Sequence, residues 1–407
     1  MPSRTNGRLA QRQRISFTPR GLKVQILHRP PFEFSKSPAG GFFYYHFKLI
    51  ILLPNTFLQT PNWGYTLISN RFICELWERV YMANNPIGIF DSGLGGLTVA
   101  TQVAKTMSCE SIYYVGDTKR CPYGPRDLRQ VQQFSQEIAL WLKDKGAKLI
   151  IIACNTATAA ALDILSQSMD IPVVGVVRPG AAGAVAATKT KRIGVLATQG
   201  TVDSGIYEKE IHKILPEAKV VQSAAPKFVE LVEHTLAQAA PDADMPELFD
   251  TPDVLDIVKE YTQVLVEADV DTVVLGCTHF PVLAKPIQKV LGDHVVLVNP
   301  ASLAAVKAKE VLANLGDEMR LGSPVADPAA VANAPAGAAT AVTNAPAASD
   351  TVSHTEDKCI DIHPVYRFAT TADDIDLFSR AASRIFPYHI SSVEHISLQC
   401  LESYDKK

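Results

Sequence analysis

"IIIACNTATAA", residues 150–160, decides how the chain reads. Its β-branched apolar run has the composition of a strand covered on both faces. The run halts at Cys154, and Asn155, Thr156 and Thr158 lead into an alanine-rich stretch that favours helix. A second stretch, "VVLGCTHFPVL" at 273–283, repeats the order of apolar run, cysteine and threonine. Taken singly, a cysteine after a buried strand is more often a small core residue than a nucleophile. Two such corners raise the question of whether packing or chemistry placed them.

Working outward, the same alternation recurs from Pro86 onward. The runs "IGIF", "SIYYVGD", "KLIIIAC", "VVGVV", "RIGVLAT", "KVVQSA", "TVVLGC" and "HVVLVN" are separated by helix-length amphipathic segments. One of these is Asp127 to Lys145, where Leu128, Val131, Phe134, Ile138 and Leu142 fall at helical spacing. Strands alternating with helices predict an α/β fold with parallel sheets. "PIGIFDSG" at 86–93 and "RIGVLATQG" at 192–200 are alike in their first halves, and each is followed by a strand ending in Cys. Two α/β units facing each other would bring both cysteines to a common cleft.

The expected division is an N-terminal extension at 1–84, a discontinuous first α/β domain at 85–179 plus 298–322 and 359–407, and a second at 180–297. Residues 323–358 form an Ala/Pro-rich insertion that supports no packed core and is expected to be disordered. Residues 1–84 mix basic residues, prolines and aromatics without periodicity. They fit an organelle transit sequence, an accessory region or, as the favoured reading, translated non-coding sequence ahead of a true start at Met82.

Composition narrows the function classes. The chain has 407 residues and a formal net charge of −3. Residues 1–85 hold eleven Lys and Arg against three Asp and Glu, so the body is acidic and nucleic acid is not the expected partner. Seven scattered cysteines form no CxxC pair and no Cys/His cluster, which points to reduced cytosolic thiols and to neither a metal site nor a disulfide scaffold. "LIILL" at 49–53 falls far short of the roughly 20 residues of a membrane helix, so no membrane span is expected, and with the reduced thiols the expected location is cytoplasmic.

In open parallel sheets, ligands bind beyond the carboxyl ends of the strands. Asp91, Cys154 and Cys277 all take that position. Asn155, Thr156 and Thr158 offer capping side chains and the free N–H groups of a helix start, which suit a carboxylate. His279 stands two residues from Cys277, and a nearby imidazolium favours thiolate over thiol. "DSGLGGLTVA" at 91–100 is not GxGxxG and carries no Gly-Lys-Ser/Thr, so its glycines are read as letting the backbone approach a small ligand, with Asp91 and Ser92 as polar contacts. Tyr123 and Gly124, in the loop of "VGDTKRCPYGPRD", would line the cleft, and Cys121 takes a structural reading.

As a set, "IGIFDSGLGGLTV", "YVGDTKRCPYGPR", "ACNTATA", "IGVLAT" and "LGCTHFPVL" resemble the glutamate racemases of bacterial cell-wall synthesis, over about residues 86–320 and again from Tyr366. The resemblance implies two Rossmann-like domains in pseudo-twofold arrangement around a cleft, no cofactor, and interconversion of L- and D-glutamate by two thiols. By motif, Cys154 and Cys277 would be the proton donors and acceptors, Asp91 assisting the first and His279 the second. Substrate contacts would fall on Asp91, Ser92, Tyr123, Gly124, Asn155, Thr156, Thr278 and His279. A family glutamate matches Glu233 in "PKFVELVEH", although Glu230 stands nearby and Ala225 replaces a common Cys.

Inverting an α-carbon requires a base on one face and an acid on the other, which paired thiols supply. Pyridoxal phosphate would need a Schiff-base lysine, and no lysine lies at either thiol corner. Two other readings remain: an aspartate or hydantoin racemase, whose second "CT" tends to be followed by Glu where this chain has His279, and a non-catalytic small-ligand-binding protein. The sequence leaves the oligomeric state open, with a homodimer compatible.

Overall fold

The structure is a computed structural model that describes residues 85–239, 245–315 and 364–405. The N-terminal extension and the Ala/Pro-rich insertion, on which two of the expectations fall, lie outside the described residues.

The eight strands expected ahead of the Ala/Pro-rich insertion form: β1 (Ile87–Asp91), β2 (Ile112–Gly116), β3 (Leu149–Ile152), β4 (Val173–Gly175), β5 (Arg192–Ala197), β6 (Lys219–Ala224), β7 (Thr272–Gly276) and β8 (Val296–Val298). Two more, β9 (Tyr366–Thr370) and β10 (Ser392–His395), follow late in the chain. One sheet has the order β10-β9-β2-β1-β3-β4 and the other β6-β5-β7-β8. Every described pairing is parallel.

Alternation along the strands explains why runs such as Ile150-Ile151-Ile152 are apolar throughout. Leu149, Ile151 and Ala153 enter the core on one face of the first sheet, while Ile150, Ile152 and Cys154 enter the core on the other. Both faces are covered, and each fully buried isoleucine contributes about 1.5–3 kcal/mol over an exposed one. The helix expected at 127–145 runs Leu128–Asp144, starting where Asp127 accepts the Arg129 N–H at 2.7 Å.

The sheets carry one arrangement twice. Ile87 of β1 faces Ile112 of β2 and Leu149 of β3; Ile193 of β5 faces Val220 of β6 and Thr272 of β7. The chain passes from the first lobe to the second through the helix Val177–Ala187 and leaves β8 through the helix Pro300–Leu315. That last helix packs its alanines into the first lobe's core, which ties the lobes together.

Two side observations complete the fold. Among the described residues, Cys121, Cys154, Cys277 and Cys400 are free thiols. No helix among the described residues is long and apolar enough to cross a membrane.

Candidate active site

Register places the two thiols at equivalent points. Ile151 lies opposite Ile89 in the first sheet and Val274 opposite Val195 in the second. Three residues beyond each comes a cysteine, Cys154 and Cys277, only 7% and 6% exposed. Each follows the carboxyl end of the strand next to its sheet's β1-like strand, where a parallel sheet presents residues to ligands.

Around Cys277 the second lobe builds an acid–base chain. His279 Nδ1 lies 3.7 Å from Cys277 Sγ, and His279 Nε2 lies 2.7 Å from Glu233 Oε1. The same Glu233 oxygen accepts the Leu94 N–H at 3.0 Å, so the glycine loop of the first lobe meets the helix Pro226–Gln238 of the second. Burial disfavours the imidazolium of His279, but hydrogen bonds to Cys277 and Glu233 outweigh it and hold its pKa well above the usual value. Burial likewise opposes the Glu233 carboxylate, yet His279 and the Leu94 N–H bring its pKa below the usual one.

Asp91 stands between the two walls. Its Oδ2 accepts the N–H groups of Gly93 and Gly96 at 3.1 and 3.0 Å, and Oδ1 accepts the Thr278 hydroxyl at 3.2 Å. Complete burial raises its pKa, with His279 and the two N–H groups acting the other way. The glycine loop is tight because it crosses protein side chains: a Cβ on Gly95 would lie 2.5 Å from both His279 Nδ1 and Thr278 Oγ1. Close approach is what these glycines permit, and the neighbours in this structure are the opposite lobe's side chains.

The wall at Cys154 is neutral. Cys154 stands at the N-cap of the helix Asn155–Ser168 without a side-chain capping bond, and the nearby Ala157 N–H acts to lower its pKa. Burial and the charge of Asp91 push its thiol pKa up. Neither Asn155 nor Thr156 caps the helix as expected; both reach the second lobe. Asn155 Oδ1 accepts the Tyr207 hydroxyl at 2.7 Å, and Thr156 Oγ1 lies 2.9 and 3.2 Å from the hydroxyls of Thr198 and Thr201. Following Cys277, by contrast, is a short 3₁₀ turn, Phe280–Leu283, before the next α-helix.

The loop after β2 forms the remaining edge. Gly124 O accepts the Gly200 N–H at 2.8 Å, linking the lobes. Tyr123 is buried with its hydroxyl donated to Asp117, so its ring anchors the loop. Arg120 ties that anchor down, donating to Asp117 and Glu137 at 2.6 Å each. Cys121, read as structural, stands at the site's margin: a Cβ on Gly93 would lie 3.1 Å from its sulfur, and Ser92 acts to lower its pKa, as it does that of Cys154.

Thus the described structure links Asp91, Ser92, Cys154, Thr278, Cys277, His279 and Glu233 through direct contacts or electrostatic coupling. Asn155, Thr156 and Gly124 touch the second lobe beside them. Glu230 is exposed, which separates it from Glu233. Sequence reading missed Tyr207, Thr198 and Thr201. Thr198 was within reach, because extending the pairing of "IGIFDS" with "IGVLAT" sets it against Ser92; Tyr207 carried no such signal.

Known proteins resemble the chain in sequence and in fold. Residues 97–308, just over half of the chain, match the family model described as Asp/Glu/Hydantoin racemase. A glutamate racemase of Carnobacterium sp. (strain St2) is 44% identical over 231 residues, which cover 57% of this chain and 82% of that one. The crystal structure of a glutamate racemase isoform from Bacillus anthracis superposes with a TM-score of 0.62 at 34% identity, covering 78% of this chain and 98% of that one. The Francisella tularensis glutamate racemase, crystallised with D-glutamate, gives 0.60 at 27% identity, covering 79% and 100%. With the family model spanning more than half its length and a curated relative this similar, the chain belongs to the Asp/Glu/Hydantoin racemase family, among its glutamate racemases.

Proposed function

We propose that the chain interconverts L- and D-glutamate by moving one proton off and another onto the α-carbon, with Cys154 and Cys277 as the two groups. The observation that carries this reading is the equivalence of the thiols in register between two copies of one sheet arrangement. Symmetry of that kind serves a reaction whose two directions are mirror images.

In one direction a thiolate takes the α-proton from one face and the other thiol gives its proton to the opposite face. The first sulfur ends as thiol and the second as thiolate, so the pair must exchange protons before the next turnover in the same direction. His279, held protonated and 3.7 Å from Cys277, is placed to relay that proton on one wall. Asp91, near enough to raise the Cys154 thiol, serves the other. Glu233 positions His279.

Glutamate carries two carboxylates, and neutral groups on both walls supply donors for them. Asn155, Thr156, Ser92, Thr278, the Tyr123-Gly124 backbone and the N-terminus of the helix Asn155–Ser168 are the proposed contacts, with Asp91 and His279 at the α-carbon. Donors preorganised in a water-poor site also stabilise the carbanionic transition state, which is the main obstacle in removing so weakly acidic a proton. The D-glutamate bound to the Francisella protein supports a ligand of this size and charge.

Incubation with either enantiomer in D₂O, followed by proton NMR and chiral chromatography, tests the reading. Racemisation with deuterium at the α-carbon of the product is expected. Cys154→Ala and Cys277→Ala should each lose racemisation by about a thousandfold or more; normal turnover by either variant would refute the two-thiol assignment. Faster racemisation of aspartate than of glutamate would move the chain to its sister activity.

A further inference from the structure

Tyr207 belongs to the helix Ile206–Ile214 of the second lobe and is fully buried. Its hydroxyl crosses to the first lobe and donates to Asn155 Oδ1 at 2.7 Å. A carboxamide is almost symmetrical in shape, but one end only accepts hydrogen bonds and the other only donates. With the Tyr207 hydroxyl donating to Oδ1, the amide stands in one of its two flipped states. With its oxygen engaged, Asn155 can meet a carboxylate only through Nδ2.

The phenol is itself held in place. Cβ atoms on Gly180 and Gly276 would lie 3.1 Å from its Oη and Cε2, so both glycines leave room that a methyl group would take. Gly180 lies in the crossover helix Val177–Ala187, and its Cβ would also meet Pro300 of the second crossover at 3.0 Å. Tyr207 thus reaches Asn155 from the place where the chain passes between lobes.

We propose that Tyr207 is a positioning residue for racemisation: it fixes the Asn155 carboxamide with both N–H donors available to a substrate carboxylate. This rests on the reading of Asn155 as a substrate contact. Binding of both enantiomers should depend on it, because the carboxylate is common to them and only the α-proton changes sides.

Steady-state kinetics in both directions on Tyr207→Phe, Asn155→Ala and the double variant test the proposal. Phe keeps the buried ring and removes only the oxygen. Tyr207→Phe should raise KM about tenfold for both enantiomers with kcat within about threefold. Asn155→Ala should raise KM at least as much, and the double variant should be no worse than Asn155→Ala. A packing defect would instead multiply KM equally in both backgrounds. That result, or unchanged KM in Tyr207→Phe alongside a raised KM in Asn155→Ala, overturns the role of Tyr207 and leaves that of Asn155. Unchanged KM in Asn155→Ala overturns both.

Discussion

His279 and Glu233 are joined by a 2.7 Å hydrogen bond from the imidazole Nε2 side, leaving Nδ1 to face Cys277. The bond fixes which nitrogen serves the sulfur, and Cys277 and the carboxylate together keep the ring charged. A group whose folded pKa is raised contributes stability fully present below its unfolded value, about 6.5 for histidine, and lost as pH rises through the folded value. Glu233, whose pKa is lowered, contributes stability that is lost as pH falls through its folded value.

Glu233→Gln should therefore lower the pKa of His279 and move the alkaline limb of the kcat profile to lower pH. Near pH 8, kcat should fall by about tenfold or more. Its Tm deficit should be largest between the low pH at which Glu233 protonates and the high pH at which His279 loses its proton, and should close beyond both. Glu230→Gln, an exposed neighbour on the same helix, should match the parent protein. An unmoved alkaline limb in Glu233→Gln would show that the ring is not tuned by this carboxylate.

Gly95 supplies a steric test of how the walls meet. Its missing side chain is occupied by the His279 ring and the Thr278 hydroxyl, each 2.5 Å from where a Cβ would stand. Gly95→Ala must push the loop away from both, which disturbs the Asp91–Thr278 bond and the Leu94–Glu233 bond. Since a misplacement of about 1 Å can cost roughly a hundredfold in rate, kcat should fall by about that factor while the far-UV circular dichroism is retained. Wild-type kinetics in Gly95→Ala would mean that the loop has slack the geometry does not show.

The contrast between legible and illegible residues has a physical basis. Strands such as "KLIIIAC" and "TVVLGC" were readable because a two-sided parallel sheet demands unbroken apolar runs, and the thiols stood out as polarisable atoms at their ends. Tyr207 and Thr201 were not readable, because their partners Asn155 and Thr156 lie 52 and 45 residues away and hydrogen bonds of that span leave no local period. Glu230 and Glu233 are three residues apart on one helix, so spacing alone put both toward the same side. Packing decides between them: the helix turns Glu233 toward Leu94 and His279 and leaves Glu230 in solvent. The glycine motif was legible as a close approach, but what it approaches depends on the other lobe.

Arg120 tests the anchor beneath the Tyr123-Gly124 loop. The side chain is buried with Asp117 and Glu137, each bonded at 2.6 Å, and its guanidinium carbon lies 3.9 Å from the centre of the Phe134 ring. Burial alone would lower its pKa, but Asp117 and its neighbours hold the guanidinium charge firmly. Asp117 also accepts from Tyr123 and Thr371, so it joins the loop to the residue after β9. Replacing Arg120 with Met conserves much of the packing volume and strands two buried carboxylates, a change that costs about 3–5 kcal/mol. Urea unfolding of Arg120→Met should show that loss, with a raised KM for glutamate as Gly124 loses its place against Thr198 and Gly200. Arg120→Lys keeps the charge without the planar fork and should fall between the two. If Arg120→Met unfolds at the parent urea concentration, the network contributes nothing net, and the loop is held by the packing of Tyr123 on Phe134 instead.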